Sequence, residues 1–143
     1  MTPRAAARAI FDAALSAGDV RPLVLRARAG VELPDSYYVT LGESYQARRD
    51  LLLGKVKEAG FVAYEPRGAY YILTDAAHFF SRYGCRDDHE FAMFLIKEIG
   101  VATVPGSSFY AHAELGRTKI RFCFPKTDDM LIEAGRRLQK LRS

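Results

Sequence analysis

Apolar positions along the chain fall into distinct spacings, and each spacing predicts an element. Tyr38, Leu41, Tyr45, Leu52, Val56 and Ala59, with Arg48 in the same row, follow steps of three and four. That is the period of one helix face. Pro34-Asp35-Ser36 supplies a start signal and Gly60 a stop, so a long amphipathic helix of about 23 residues is expected. Phe91, Phe94, Leu95 and Ile99 repeat the helical spacing over residues 90–99, with Asp87 or Asp88 as cap and Gly100 as terminator. Met130, Leu131, Ala134, Leu138 and Leu141 repeat it again over residues 128–141. There Thr127 caps, acids open the helix and Arg136, Arg137, Lys140 and Arg142 close it, in the order the helix dipole favours.

Short runs of period two or of continuous apolar character predict strands. Residues 61–64 (FVAY) and 69–73 (AYYIL) flank Glu65-Pro66-Arg67-Gly68, whose Pro and Gly positions suit a type I turn. Together they predict a hairpin in which Tyr70 and Ile72 face one way and Tyr71 and Leu73 the other. One tyrosine then belongs to the core and the other to the opposite face. Residues 75–87 predict an irregular segment with a short helical turn. Residues 101–104 (VATV) predict a buried strand, followed by a loop from Pro105-Gly106-Ser107-Ser108 to about Gly116. Residues 120–124 (IRFCF) predict a strand that Pro125 stops. Ile120, Phe122 and Phe124 face the core, and Arg121 and Cys123 face away from it.

The N-terminal stretch is less patterned. Thr2, Pro3 and Gly18 bracket an Ala-rich helix with a thin apolar face. Residues 20–33 have no clear period and read as a connector. The element order predicts an α+β two-layer sandwich, a small, mostly antiparallel sheet with helices on one face. The expected organisation is an N-terminal helix and connector over residues 1–32 and one domain over residues 33–143.

Composition narrows the field of functions. At 143 residues the chain fits one domain. A net charge of +4 is too mild to argue for a nucleic-acid binder. Aromatic residues Tyr70, Tyr71, Phe122 and Phe124 on a sheet suggest an RNA platform, but the glycine-containing motif of that platform is absent. Cys85 and Cys123 have neither metal-ligand nor CxxC spacing, which suits a reduced, cytoplasmic protein. No apolar run reaches the length that spans a bilayer. Arg4 and Arg8 near the start raise a transit peptide, which Asp12 and Asp19 argue against. His78 and His89 have no partner at metal-ligand spacing, and no metal site is expected. Ser107 and Ser108 have only His112 near them, so loop hydrogen bonding outweighs a nucleophilic role.

The chemistry concentrates at Arg121. A guanidinium amid an apolar run is costly to bury unless it meets an anion, and its planar fork matches a carboxylate. Two readings stand at this point: a carboxylate clamp beside the Pro105-Gly106 loop, or an arginine on a half-solvated strand.

The motifs as a set resemble a known family. Residues 104–110 (VPGSSFY) followed by IRFCF, with LPDSYY at 33–38, RRDLLL at 48–53 and PRGAYY at 66–71, resemble the C-terminal small domain of the class I/II aminotransferases. These are fold-type I enzymes that use pyridoxal phosphate, and the likeness is nearest to the kynurenine, glutamine and methionine aminotransferase branch. It covers roughly residues 33 to 142. The resemblance implies that Arg121 binds the α-carboxylate of an amino acid or 2-oxo acid, that Tyr70 and Gly68 contact substrate, and that Pro105, Gly106 and Ser107 form a loop near the site. It also implies a domain that closes over substrate, with a large-domain chain or homodimer completing the enzyme. The family's Schiff-base lysine stands in a Ser-rich stretch followed by Gly and Arg. None of Lys55, Lys57, Lys97, Lys119, Lys126 or Lys140 has that setting. No catalytic residue is therefore expected here. The chain is expected to be a fragment, a truncated product or one part of a split enzyme, inactive alone. The alternative is a non-catalytic module that binds amino acids by their carboxylate.

Overall fold

The computed structural model describes residues 33–142. The helix and connector expected over residues 1–32 lie outside the described residues. The chain divides after Ser44 into two compact units. The described part of the first is the opening of helix α1 (Asp35–Glu58), where Tyr37 and Tyr38 meet edge to face at 5.4 Å. Tyr37, Val39 and Leu41 are exposed there, so the apolar row that predicts the helix is not buried along its whole length.

The second unit holds the sheet. After α1 come β1 (Val62–Tyr64), β2 (Tyr71–Asp75), α2 (Ala77–Tyr83), α3 (Asp88–Phe94), β3 (Val104–Pro105), β4 (Lys119–Cys123) and α4 (Asp128–Leu138). The sheet order is β1-β2-β4-β3, with every neighbouring pair antiparallel. Ile72 and Thr74 of β2 and Ile120 and Phe122 of β4 point into one core. That core is filled by Leu52 and Val56 of α1, Phe79 of α2, Phe91 of α3, Leu131 and Leu138 of α4, and Phe61 and Leu141. Phe91 is wholly buried and lies 5.4–6.3 Å from the rings of Phe61, Phe79, Phe80 and Phe94. Clusters of this kind hold layers together through large apolar area and offset ring contacts. The result is the expected α+β architecture, with helices on one face of a small antiparallel sheet.

Local details depart from expectation for identifiable reasons. Strand β2 runs two residues later than the AYYIL reading, because polar Thr74 and Asp75 are recruited by β4. Thr74 Oγ1 donates to the Ile120 carbonyl at 3.0 Å, and Asp75 pairs with Lys119. Tyr64 pairs with Leu73, which leaves a wide loop where a tight type I turn is expected. Neither Tyr70 nor Tyr71 is in the core; Ile72 and Thr74 take those places. The segment after β2 is more regular than expected: Asp75 accepts the Ala77 N–H at 3.0 Å, α2 follows, and Gly84 ends it at φ 67°. Helix α3 closes in a π-helical turn (Leu95–Ile99), and the Val101 N–H returns to the Leu95 carbonyl at 2.9 Å. That return draws residues 101–103 away from β4, so the buried strand expected there reduces to Val104–Pro105.

Candidate functional site

Strand β4 alternates as its sequence demands. Ile120 and Phe122 go to the core, and Lys119, Arg121 and Cys123 go to the other face, half-buried. Across that face, Arg121 stands opposite Leu73 on one side and Val104 on the other, with Tyr64 beyond Leu73. The two cations of β4 fare differently.

Lys119 is neutralised within the chain. Its Nζ donates to Asp75 Oδ2 and, at 3.1 Å, to the Tyr64 hydroxyl. Thr118 Oγ1 and the Ala77 N–H also donate to Asp75, at 2.9 and 3.0 Å. Burial pushes the Asp75 carboxyl up, but the Lys119 ammonium and these donors outweigh it and hold the pKa below the usual carboxylate value. For Lys119, burial favours the neutral amine, yet Asp75 and Tyr64 prevail and raise its pKa.

Arg121 has no such partner. Among the described residues no carboxylate pairs with it, and its Nε is buried without a hydrogen-bond acceptor. Two rings hold the guanidinium instead. Its central carbon lies 4.4 Å from the ring centre of Phe109 and 5.1 Å from that of Tyr71. The two rings are nearly parallel, 21° apart with centres 6.3 Å apart. Ring faces attract the cation and fix its plane without consuming its N–H donors. What results is an oriented donor fork with hydrogen-bonding capacity to spare, the arrangement a carboxylate fits.

Phe109 reaches this position from the loop after β3. Gly106 opens a 3-10 turn (Gly106–Phe109) packed directly on a second turn (Ala113–Gly116) and on β4. A Cβ on Gly106 would lie 2.8 Å from the Gly116 carbonyl oxygen and 2.7 Å from that of Lys119. Only glycine allows that approach. From the other side, Asp88 of α3 accepts the Ser107 N–H at 2.7 Å, and His89 Nε2 lies 3.1 Å from Ser107 Oγ. The histidine beside Ser107 is thus His89, not His112, whose Nδ1 lies 3.6 Å from Glu114 Oε1. His89 is exposed and no further group is found orienting it among the described residues, so the pair anchors the loop and supplies no nucleophile.

The remaining sequence-derived site residues lie on the margins. Gly68 and Tyr70 are both exposed in the loop of residues 65–70. Tyr70 meets Tyr71 edge to face at 5.5 Å and 89°, one ring removed from Arg121. Pro105 pairs with Ile120 at the end of β3. The structure therefore brings Arg121, Tyr71 and Phe109 together, with Pro105, Gly106 and Ser107 supporting Phe109. Phe109 and Asp88 escape sequence reading: one is a lone aromatic in a loop and the other looks like an ordinary helix cap. A cleft of about 560 Å³ opens between residues 100–104, the β4 edge and α4, with Arg121 on its wall and a buried, unpartnered Thr103 hydroxyl.

Comparisons with known proteins agree on one lineage. Residues 5–138 match the model of the family described as aminotransferase class I and II. The methionine aminotransferase of Escherichia coli (strain K12) is 33% identical over 105 residues, which are 73% of this chain and 26% of that protein. Kynurenine–oxoglutarate transaminase 1 of Rattus norvegicus is 29% identical over 116 residues, 75% of this chain and 27% of the relative. Among solved structures, the N-succinyldiaminopimelate aminotransferase of Mycobacterium tuberculosis superposes with a TM-score of 0.68 at 36% identity, covering 80% of this chain and 29% of that one. The chain thus spans between a quarter and a third of the length of the relatives it matches.

Proposed function

Because the chain belongs to the class I and II aminotransferase family, we propose that it is the substrate-carboxylate-binding part of an enzyme that moves an amino group between an amino acid and a 2-oxo acid. One observation supports this reading above others: the Arg121 guanidinium is oriented by Phe109 and Tyr71 while its buried Nε has no acceptor among the described residues. Amino acids and 2-oxo acids share a carboxylate next to the reacting carbon. One fork can therefore hold both the donor and the acceptor of the amino group in the same register. Tyr70 and Gly68, in the loop of residues 65–70, and the Pro105-Gly106-Ser107 loop are proposed to border the bound acid.

The family implies pyridoxal phosphate in its intact enzymes, where it supplies the electron sink. Neither Lys119 nor Lys55 is set up as the amine that such a group needs. Lys119, the lysine on the Arg121 face, is paired with Asp75 and its pKa is raised, the opposite of what an amine nucleophile needs. Lys55 packs its stem against Gly135 and its Nζ reaches Glu58 at 3.1 Å. No step through the cofactor is assigned to these residues. The proposed enzyme draws its lysine from a large-domain segment or a second chain. The small domain is proposed to occupy residues 33–143, and its proposed compartment is the cytoplasm.

Titration of the chain with 3-phenylpropionate, against 3-phenylpropionamide as uncharged control, tests the carboxylate reading. Saturable binding of the acid alone, weakened at least about tenfold in Arg121→Gln, is expected from loss of a charge-assisted bidentate contact. Equal binding of acid and amide, or indifference to Arg121→Gln, overturns it.

A further inference from the structure

Asp88 is the one charged residue among the described residues that the structure buries almost completely, at 1% exposure. It is not the cap of α3. Asp87 takes that role, accepting the Glu90 N–H at 2.9 Å. Asp88 instead directs its carboxylate across to the loop after β3, where Oδ2 accepts the Ser107 N–H at 2.7 Å. A carboxylate taken out of water is costly to hold, and a short charge-assisted bond to a backbone N–H is one of the few interactions that offset the cost.

The grip falls where it governs Arg121. Ser107 lies in the turn Gly106–Phe109, and the Tyr110 N–H closes that turn on the Ser107 carbonyl at 3.4 Å. Gly106 is wedged against Gly116 and Lys119. Three attachments therefore fix the base of the turn: the Asp88 carboxylate, the His89 contact to Ser107 Oγ, and the glycine packing. The half-exposed ring of Phe109 projects from this fixed base onto the guanidinium, 4.4 Å away. Losing the Asp88 bond removes one of these three attachments and loosens the base from which the ring, stacked on Tyr71 and on the guanidinium, projects.

We propose that Asp88 is a positioning residue for Arg121: by holding the Ser107 N–H it sets the Phe109 ring, and the ring sets the plane of the guanidinium. This rests on the reading of Arg121 as a carboxylate fork, and its test separates the two. The readout is the Arg121 Nε–Hε resonance in ¹⁵N-edited spectra of the whole chain, which the rings of Phe109 and Tyr71 displace. Phe109→Leu supplies the value without the Phe109 ring. In Asp88→Ala the Arg121 resonance is expected to move to the Phe109→Leu value while the Ile72 and Ile120 methyl signals stay in place, and 3-phenylpropionate to bind several-fold more weakly. Asp88→Asn, which keeps an acceptor oxygen but loses the charge, is expected to fall between native and Ala. A folded Asp88→Ala chain with the native Arg121 resonance overturns the proposal. Should Asp88→Ala not fold, Asp88→Leu, which keeps the bulk but offers no acceptor, replaces it, and a native Arg121 resonance there overturns the proposal equally. A native chain that fails to bind the acid while its Arg121 resonance still follows Asp88 refutes the carboxylate reading and leaves the positioning in force.

Discussion

The guanidinium carbon of Arg121 lies 4.4 Å from the ring centre of Phe109, although the two residues approach the site from different elements, a sheet strand and a 3-10 turn. The contact joins a cation with spare donors to an aromatic face that asks for none of them. Shortening Phe109 to Leu removes one of two ring contacts and keeps the charge. The expected cost is about 0.5–1 kcal/mol of carboxylate affinity, a two- to fivefold rise in the 3-phenylpropionate dissociation constant by calorimetry. Arg121→Lys keeps the charge and loses the fork, and is expected to fall between Phe109→Leu and Arg121→Gln.

Gly106→Ala is expected to destabilise the fold by roughly 1–3 kcal/mol, the usual range for forcing extra volume into a packed site. The added methyl meets backbone atoms of Gly116 and Lys119, which cannot swing aside as a side-chain tip can. Gly68→Ala is the control. Nothing lies within 4 Å of its would-be Cβ and its φ is not positive, so its urea midpoint is expected to stay within about 0.5 kcal/mol of native. Equal midpoints for the two variants would contradict the close approach of the two turns.

The Asp75–Lys119 pair gives the pH dependence a definite sign. Asp75 titrates lower in the folded chain than its ordinary 3.8, so its contribution is present above that value and is lost as pH falls through the folded pKa. Lys119 titrates above its ordinary 10.5, so its contribution is complete below that value and is lost as pH rises through the folded pKa. Asp75→Asn is therefore expected to flatten the acid limb of a urea-midpoint-against-pH curve and to weaken the alkaline limb through loss of the Lys119 partner. An acid limb as steep as native in Asp75→Asn would show that this carboxylate does not carry the effect.

Glu133 offers a second titration. The hydrogen bonds from Arg136 and Arg137 hold its carboxyl down to about 2. Carboxyl-carbon spectra are expected to place its midpoint well below those of exposed glutamates, and Arg136→Gln to move it up. An ordinary midpoint would mean that the two arginines do not stay on Glu133 in solution.

Mixing the chain with pyridoxal phosphate is expected to give no Schiff-base band from Lys119, and borohydride reduction followed by mass analysis is expected to show no added mass at that residue. The lysine is paired and charged, and an ammonium cannot attack a carbonyl. Asp75→Asn removes the pair and is the variant in which slow modification of Lys119 is expected.

Much of this protein is written in neighbouring residues. The spacing of Phe91, Phe94, Leu95 and Ile99 makes a helix, and the alternation of Ile120, Arg121 and Phe122 makes a strand with a guanidinium on its outer side. Caps, periods and turn residues act within a few positions, so the chain specifies them before it closes. Tertiary structure alone decided the extent of β2, because Thr74 and Asp75 become strand residues only once Ile120 and Lys119 lie beside them. It also decided that Phe109 would cover Arg121, that Asp88 would be buried while its neighbour Asp87 capped the helix, and that Ser107 would meet His89. Apart from the local Asp87 cap, these contacts join residues from 12 to 46 positions apart, where no local preference operates and only the packed sheet and its glycine turns set the distance.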